Sequence, residues 1–200
     1  MNPVMKDSDK IINYKYFFNR KVAFLKEADA VVLFPGGFGT LDEGMEVMTL
    51  VQTGKNPPIP LIMIDDDNGG YWDKFFDFTR DALLKRGLIG FEDFALFTMT
   101  KDPAEAVQYI NDFYRNYHSL RFVKDKLVVR LNKALNTDHL QVLESEFSEI
   151  LAPGGSMRLS NALPEEQDQP DLLPLPRLTM EFNRRSYGLL KAFIRRINSF

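Results

Sequence analysis

The chain has 200 residues, 44% of them hydrophobic and 26% charged, with a formal net charge of -3; that is ordinary globular composition, enough for one large domain or a domain with a small annex. The slight acidity argues against nucleic acid as a partner, which needs clustered positive charge. There is no cysteine and there are only two histidines, His118 and His139, which excludes disulfides, thiolate zinc and cysteine nucleophiles and speaks against a histidine metal site. No apolar run reaches the roughly 18–20 residues of a membrane helix, and the polar opening MNPVMKDSDK is no signal peptide; a cytoplasmic protein without metal or cofactor is expected.

Residues 11–28 carry apolar side chains at helical spacing and predict a helix with Arg20 and Lys21 in its middle. Residues 30–34 (AVVLF) form a short β-branched run ending at Pro35, expected as a strand buried on both faces of a parallel sheet. A glycine loop follows at 35–39, then a helix at 40–52, with Thr40 as its cap, Asp42 and Glu43 in the first turn and Gly54 as its stop. Residues 61–65 (LIMID) predict a second buried strand, 71–86 an amphipathic helix stopping at Gly87, 95–98 a short strand and 103–114 a helix with proline in its first turn. This alternation predicts a parallel α/β sheet with helices on both faces over 1–119.

Beyond residue 119 the texture changes. Strands are predicted at 127–131, 157–162 and 178–182, and helices at 138–151 and 186–197, the last with Lys191, Arg195 and Arg196 on the outside. Residues 163–176, rich in proline and acidic side chains, read as a mobile loop. Together 120–200 predict a small α+β appendage.

The feature that carries chemistry is PGGFGT at 35–40. Glycines let successive backbone N–H groups converge on one point, and the helix that begins at once adds its own free N–H groups and positive dipole end. Between a buried strand and a helix cap this makes an anion site suited to phosphate. It is neither G-x-G-x-x-G nor a Walker loop, since no lysine follows. Glu43, three residues after Thr40, has two readings: partner of Thr40 in a capping box, or a carboxylate facing a substrate at the loop. Arg20 and Lys21 read either as a solvated basic patch or as contacts to an anion. Asp65, Asp66 and Asp67 follow a strand, where a metal would be conceivable, but a solvated loop is the expectation. His118 is expected to pack between the two parts rather than to catalyse.

Arg-Lys followed about a dozen residues later by P-G-G-x-G-T-x-x-E resembles the signature of the LOG ("Lonely guy") family, here Arg20-Lys21 and Pro35 to Glu43. The resemblance covers roughly residues 16–114, and the remainder is similar to a longer bacterial branch. It implies a Rossmann-like fold, a homodimer and phosphoribohydrolase activity: cleavage of the N-glycosidic bond of a nucleoside 5'-monophosphate to free base and ribose 5-phosphate. It implies further that Gly36, Gly37, Gly39 and Thr40 hold the 5'-phosphate, that Glu43 is the catalytic carboxylate, and that Arg20 is the second essential residue with Lys21 beside it. Some members carry an older lysine decarboxylase label, for which nothing in this chain supplies pyridoxal-phosphate chemistry.

Members of the family begin with an earlier strand and glycine loop and a G-G-G-x-G-x-M-E segment, and this chain opens just downstream of both. The expectation is therefore an N-terminally incomplete Rossmann-like sheet whose pocket lacks one wall. Two functions stay open at this point: the phosphoribohydrolase, and a nucleotide-binding module without turnover.

Overall fold

The computed structural model describes residues 14–66 and 69–200, the side chains of Phe17 and Phe18 excepted. Its first sheet is built on β2 (Leu61–Ile64), whose four residues are all buried. Parallel strands flank it, β1 (Val31–Leu33) on one side and β3 (Thr98–Thr100) on the other. Side chains alternate across a strand. Val31, Leu33, Leu61 and Met63 therefore face one way, against Leu25 of α1 (Phe17–Glu27), Val47 and Val51 of α2 (Phe38–Gln52) and Trp72 of α3 (Tyr71–Phe78). Ile62 and Ile64 face the other way, onto Ala106, Tyr109 and Ile110 of α4 (Pro103–Phe113). This is the expected parallel α/β arrangement.

Several boundaries differ from expectation for identifiable reasons. β1 is not buried on both faces: Val32 is 37% and Phe34 58% exposed. Among the described residues β1 is an edge strand, and α4 lies over β2 and β3 instead. α2 starts at Phe38, capped by the backbone of Gly37, so Thr40 lies inside the helix and caps nothing. Residues 71–86 form one helical stretch, as predicted, but after α3 it widens into a π turn and then tightens into a 3-10 turn before Gly87 ends it at φ 66. The third strand falls later than 95–98 because Phe91–Leu96 winds into a 3-10 turn, where Asp93 accepts from the Gly90 amide at 2.9 Å.

The second sheet is antiparallel in the order β4-β5-β7-β6, with β4 (Tyr117–Val123), β5 (Lys126–Leu131), β6 (Met157–Ser160) and β7 (Arg177–Met180). β4 was not anticipated, since YHSLRFV has little alternation to announce it. α5 (Thr137–Glu146) and α6 (Tyr187–Ile197) cover this sheet, placing Leu143, Leu190, Phe193, Ile194 and Ile197 against Leu127, Val129, Leu178 and Met180. The C-terminal part is thus α+β.

Two expectations here are overturned. Residues 163–176 are anchored rather than mobile: Glu166 is fully buried, with Arg130 at 2.8 Å on one carboxylate oxygen and Arg177 at 3.2 Å on the other. Lys191 does not face outward but is 1% exposed, donating to the Leu96 carbonyl at 2.7 Å. α6 therefore packs against the first sheet's 3-10 turn as well as the second sheet. No described helix is long and apolar enough to cross a membrane.

Candidate active site

The carboxyl end of β1 opens into a first loop, residues 34–37, and that of β2 into a second, of which residues 65, 66, 69 and 70 are described, at the edge where open α/β sheets bind ligands. The first loop turns at once into α2. The amides of Thr40 and Leu41 both donate to the Gly37 carbonyl, at 3.1 and 3.3 Å, so the amides of Gly37, Phe38 and Gly39 precede the first helical bond and are the donors that a helix N-terminus leaves without intrahelical partners. α2 lies close over β1 because Gly44 has no side chain there; a Cβ would come within 2.7 Å of Leu33.

The glycines of the loop divide by what surrounds them. A Cβ on Gly36 would meet the Thr40 hydroxyl at 2.2 Å, so internal packing demands glycine at that point. A Cβ on Gly37 or Gly39 would project into open space, and neither residue has positive φ. Among the described residues nothing requires glycine at these two positions, and the backbone there is open to close approach.

Glu43 lies on α2 one turn after Thr40 and is half-buried. The capping box that the spacing allowed is not formed. Its neighbours are committed elsewhere: Lys21 of α1 donates to Asp42 at 2.8 Å and approaches Glu46 at 2.7 Å. Those hydrogen bonds, first to Asp42 and then to Glu46, together with the charges of Glu43 and Glu46, hold the Lys21 ammonium well above its ordinary pKa despite burial. Among the described residues no hydrogen bond or ion pair engages Glu43 in this way. Lys21 is thus a buried clasp between α1 and α2, and the exposed Arg20 precedes it on α1.

In the second loop Asp65 caps the start of α3. Asp65 is buried, and its carboxylate accepts from the amides of Asp66, Gly70 and Trp72 at 3.0, 2.9 and 3.1 Å. Burial alone would raise its pKa, but these amides outweigh it and hold the carboxyl below the usual range. Asp67 lies outside the described residues. Among those described, no three acidic or histidine side chains are grouped to hold a metal ion. The Tyr71 hydroxyl, at the start of α3, donates to the Gly36 carbonyl at 2.6 Å and links the two loops. Beside them lies a cavity of about 560 Å³ lined by Leu41, Met45, Tyr71, Lys74, Phe75 and Phe78. His118 is exposed on β4, bonded to Ser119 at 2.9 Å, instead of packing between the two parts.

Strand, glycine loop and helix form the first part of an α/β module. The family model described as "Possible lysine decarboxylase" matches residues 2–110, more than half of the chain, and the chain belongs to this family, the LOG family. It is similar to the cytokinin riboside 5'-monophosphate phosphoribohydrolase LOG of Oryza sativa subsp. japonica, 30% identical over 99 residues, which are 49% of this chain and 39% of that protein. The Arabidopsis thaliana enzymes of the same name LOG3 (37% over 71 residues, 35% of this chain and 31% of the relative) and LOG1 (30% over 95 residues, 47% and 42%) are similar too. The chain spans less than half the length of each of these relatives.

Proposed function

We propose that this chain supplies the phosphate anchor and the catalytic carboxylate of a cytoplasmic, homodimeric nucleoside 5'-monophosphate phosphoribohydrolase. The observation that supports this reading is Glu43: of the three acidic side chains on that stretch of α2, Asp42 and Glu46 are bound by Lys21, and among the described residues no hydrogen bond or ion pair engages Glu43 beside the glycine loop. The names of the similar plant enzymes supply the substrate class. The exposed Phe38, Met45 and Phe78 on α2 and α3 offer apolar surface for a second copy.

In the reaction a water oxygen bonds to C1' of the ribose as the C1'–N bond breaks. The bonding pair leaves with the base, which takes up a proton. Positive charge develops on the ribose, and the Glu43 side chain either stabilises it or accepts the proton of the attacking water. The amides of Gly37, Phe38 and Gly39 hold the 5'-phosphate with Gly36 and Thr40 shaping the turn, so attack occurs on an already positioned sugar. Arg20 adds a fixed positive charge near the phosphate end, with Lys21 orienting α1 against α2.

The test is release of free base from AMP, GMP, CMP and isopentenyladenosine monophosphate. Turnover is expected, with a loss of about 10²–10⁴-fold in Glu43→Gln. No release by this chain, or by the chain joined to the family's preceding glycine-rich segments, overturns the enzyme. Calorimetric binding of AMP without turnover assigns a binding module instead, and absence of both overturns the phosphate site itself.

A further inference from the structure

Tyr71 connects the two loops at the carboxyl edge of the sheet, 35 residues from the carbonyl it binds. Its own position is determined on every side. Asp65 accepts from the amides of Gly70 and Trp72, the residues immediately before and after it. Gly69 and Gly70, at φ 48 and 100, let the chain reverse between β2 and α3. The buried Trp72 ring donates to the Ile64 carbonyl at 3.1 Å and meets the Tyr71 ring edge-on at 4.7 Å. Helix cap, backbone reversal and aromatic packing thus deliver one hydroxyl to the Gly36 carbonyl.

A trans peptide points its C=O and its N–H in opposite directions. A hydroxyl that captures the Gly36 carbonyl therefore sets the direction of the Gly37 N–H, the first amide of the anion site. We infer that Tyr71 is the positioning residue of the phosphate loop: its hydroxyl holds the Gly36–Gly37 peptide so that the Gly37 N–H is turned toward the phosphate before ligand arrives. A glycine pair is the place that needs such a clamp, since Gly36 and Gly37 have the widest choice of backbone conformations. The inference rests on the phosphate reading of the loop. It assigns Tyr71 no contact with the reacting atoms.

Tyr71→Phe keeps the ring and removes the hydroxyl. Selective ¹⁵N-glycine labelling reads the loop directly, and the Gly37 amide resonance is expected to shift and broaden in the variant without ligand. Affinity for AMP and for ribose 5-phosphate is expected to fall about 3–10-fold, the scale of one hydrogen bond, while affinity for adenosine is unchanged. In turnover KM rises with kcat preserved, the pattern of lost uniform binding. A wild-type chain that binds AMP alongside a variant with unaltered Gly37 resonance and AMP affinity overturns the role of Tyr71 alone. Equal weakening of adenosine and AMP overturns it as well, because the effect is then not phosphate-directed. A wild-type chain that binds no phosphate ligand overturns the phosphate reading, and this inference with it.

Discussion

Gly37 and Gly39 differ from Gly36 in what surrounds them. Gly36 is held to glycine by the Thr40 side chain, but Gly37 has φ -88 and ψ -159, which alanine adopts freely, and room for a Cβ. Gly37→Ala is therefore expected to leave the thermal unfolding midpoint unchanged while weakening AMP binding about tenfold or more, as a methyl group occupies the space where phosphate meets the backbone amides. Calorimetric titration beside a melting curve checks both halves. The sequence already marked this loop, because P-G-G-x-G-T between an apolar run and a helix is a local pattern. Among the carboxylates of α2 the family resemblance alone singled out Glu43, and composition and spacing did not. Asp42, Glu43 and Glu46 look alike until Lys21, 21 residues before Asp42 in the chain, arrives to bind two of them.

At the scale of elements, the segment between β6 and β7 shows how burial overrides composition. Proline and acidic residues suggested mobility, yet Glu166 is sealed between Arg130 of β5 and Arg177 of β7, and its carboxylate also accepts from the Leu163 amide at 3.0 Å. Burial would raise its pKa, but the Leu163 amide and the two guanidinium groups prevail and hold it below the ordinary carboxylate value. A carboxyl with a depressed folded pKa contributes stability that is present above its unfolded pKa and disappears as pH falls through the folded one. Glu166→Gln leaves two buried guanidinium groups without their counter-charge. It is expected to cost about 3–5 kcal/mol near neutral pH and to weaken the loss of stability on acidification below the carboxylate range. Denaturant unfolding of both proteins from neutral pH into that range measures the two effects. No sequence period announces such a triad, whose members lie on separate strands and a turn.

For the whole molecule, α6 is the element that joins the two sheets. Gly188 passes so close to the turn of Phe91–Leu96 that a Cβ would sit 2.5 Å from the Glu92 carbonyl. One turn on, Lys191 donates to Leu96. At the helix end Asn198 accepts from the amides of Asn116 and Tyr117, both at 2.8 Å, where β4 leaves α4. Burial, with the nearby charge of Arg195, lowers the Lys191 pKa to about 7. Since the unfolded lysine keeps its proton up to about pH 10.5, the unfolded state binds more protons between these values, and stability rises with pH across that window. Lys191→Met is expected to flatten the rise between about pH 7 and 10, as read from unfolding midpoints at successive pH values.

The sequence by itself determined the local units: the apolar run of β1, the glycine loop, α2 with its Gly54 stop, the buried β2, and the Pro103 start of α4. Each depends on residues within a turn or two of one another, where periodicity, caps and glycine act directly. Only the tertiary structure decided that β1 keeps one face exposed, that Asp65 caps α3 instead of facing solvent, that Tyr71 reaches the Gly36 carbonyl, and that Lys191 and Glu166 are interior. These are outcomes of packing between elements tens of residues apart. The burial and pairing that set a side chain's charge and hydrogen bonds do not exist until those elements meet.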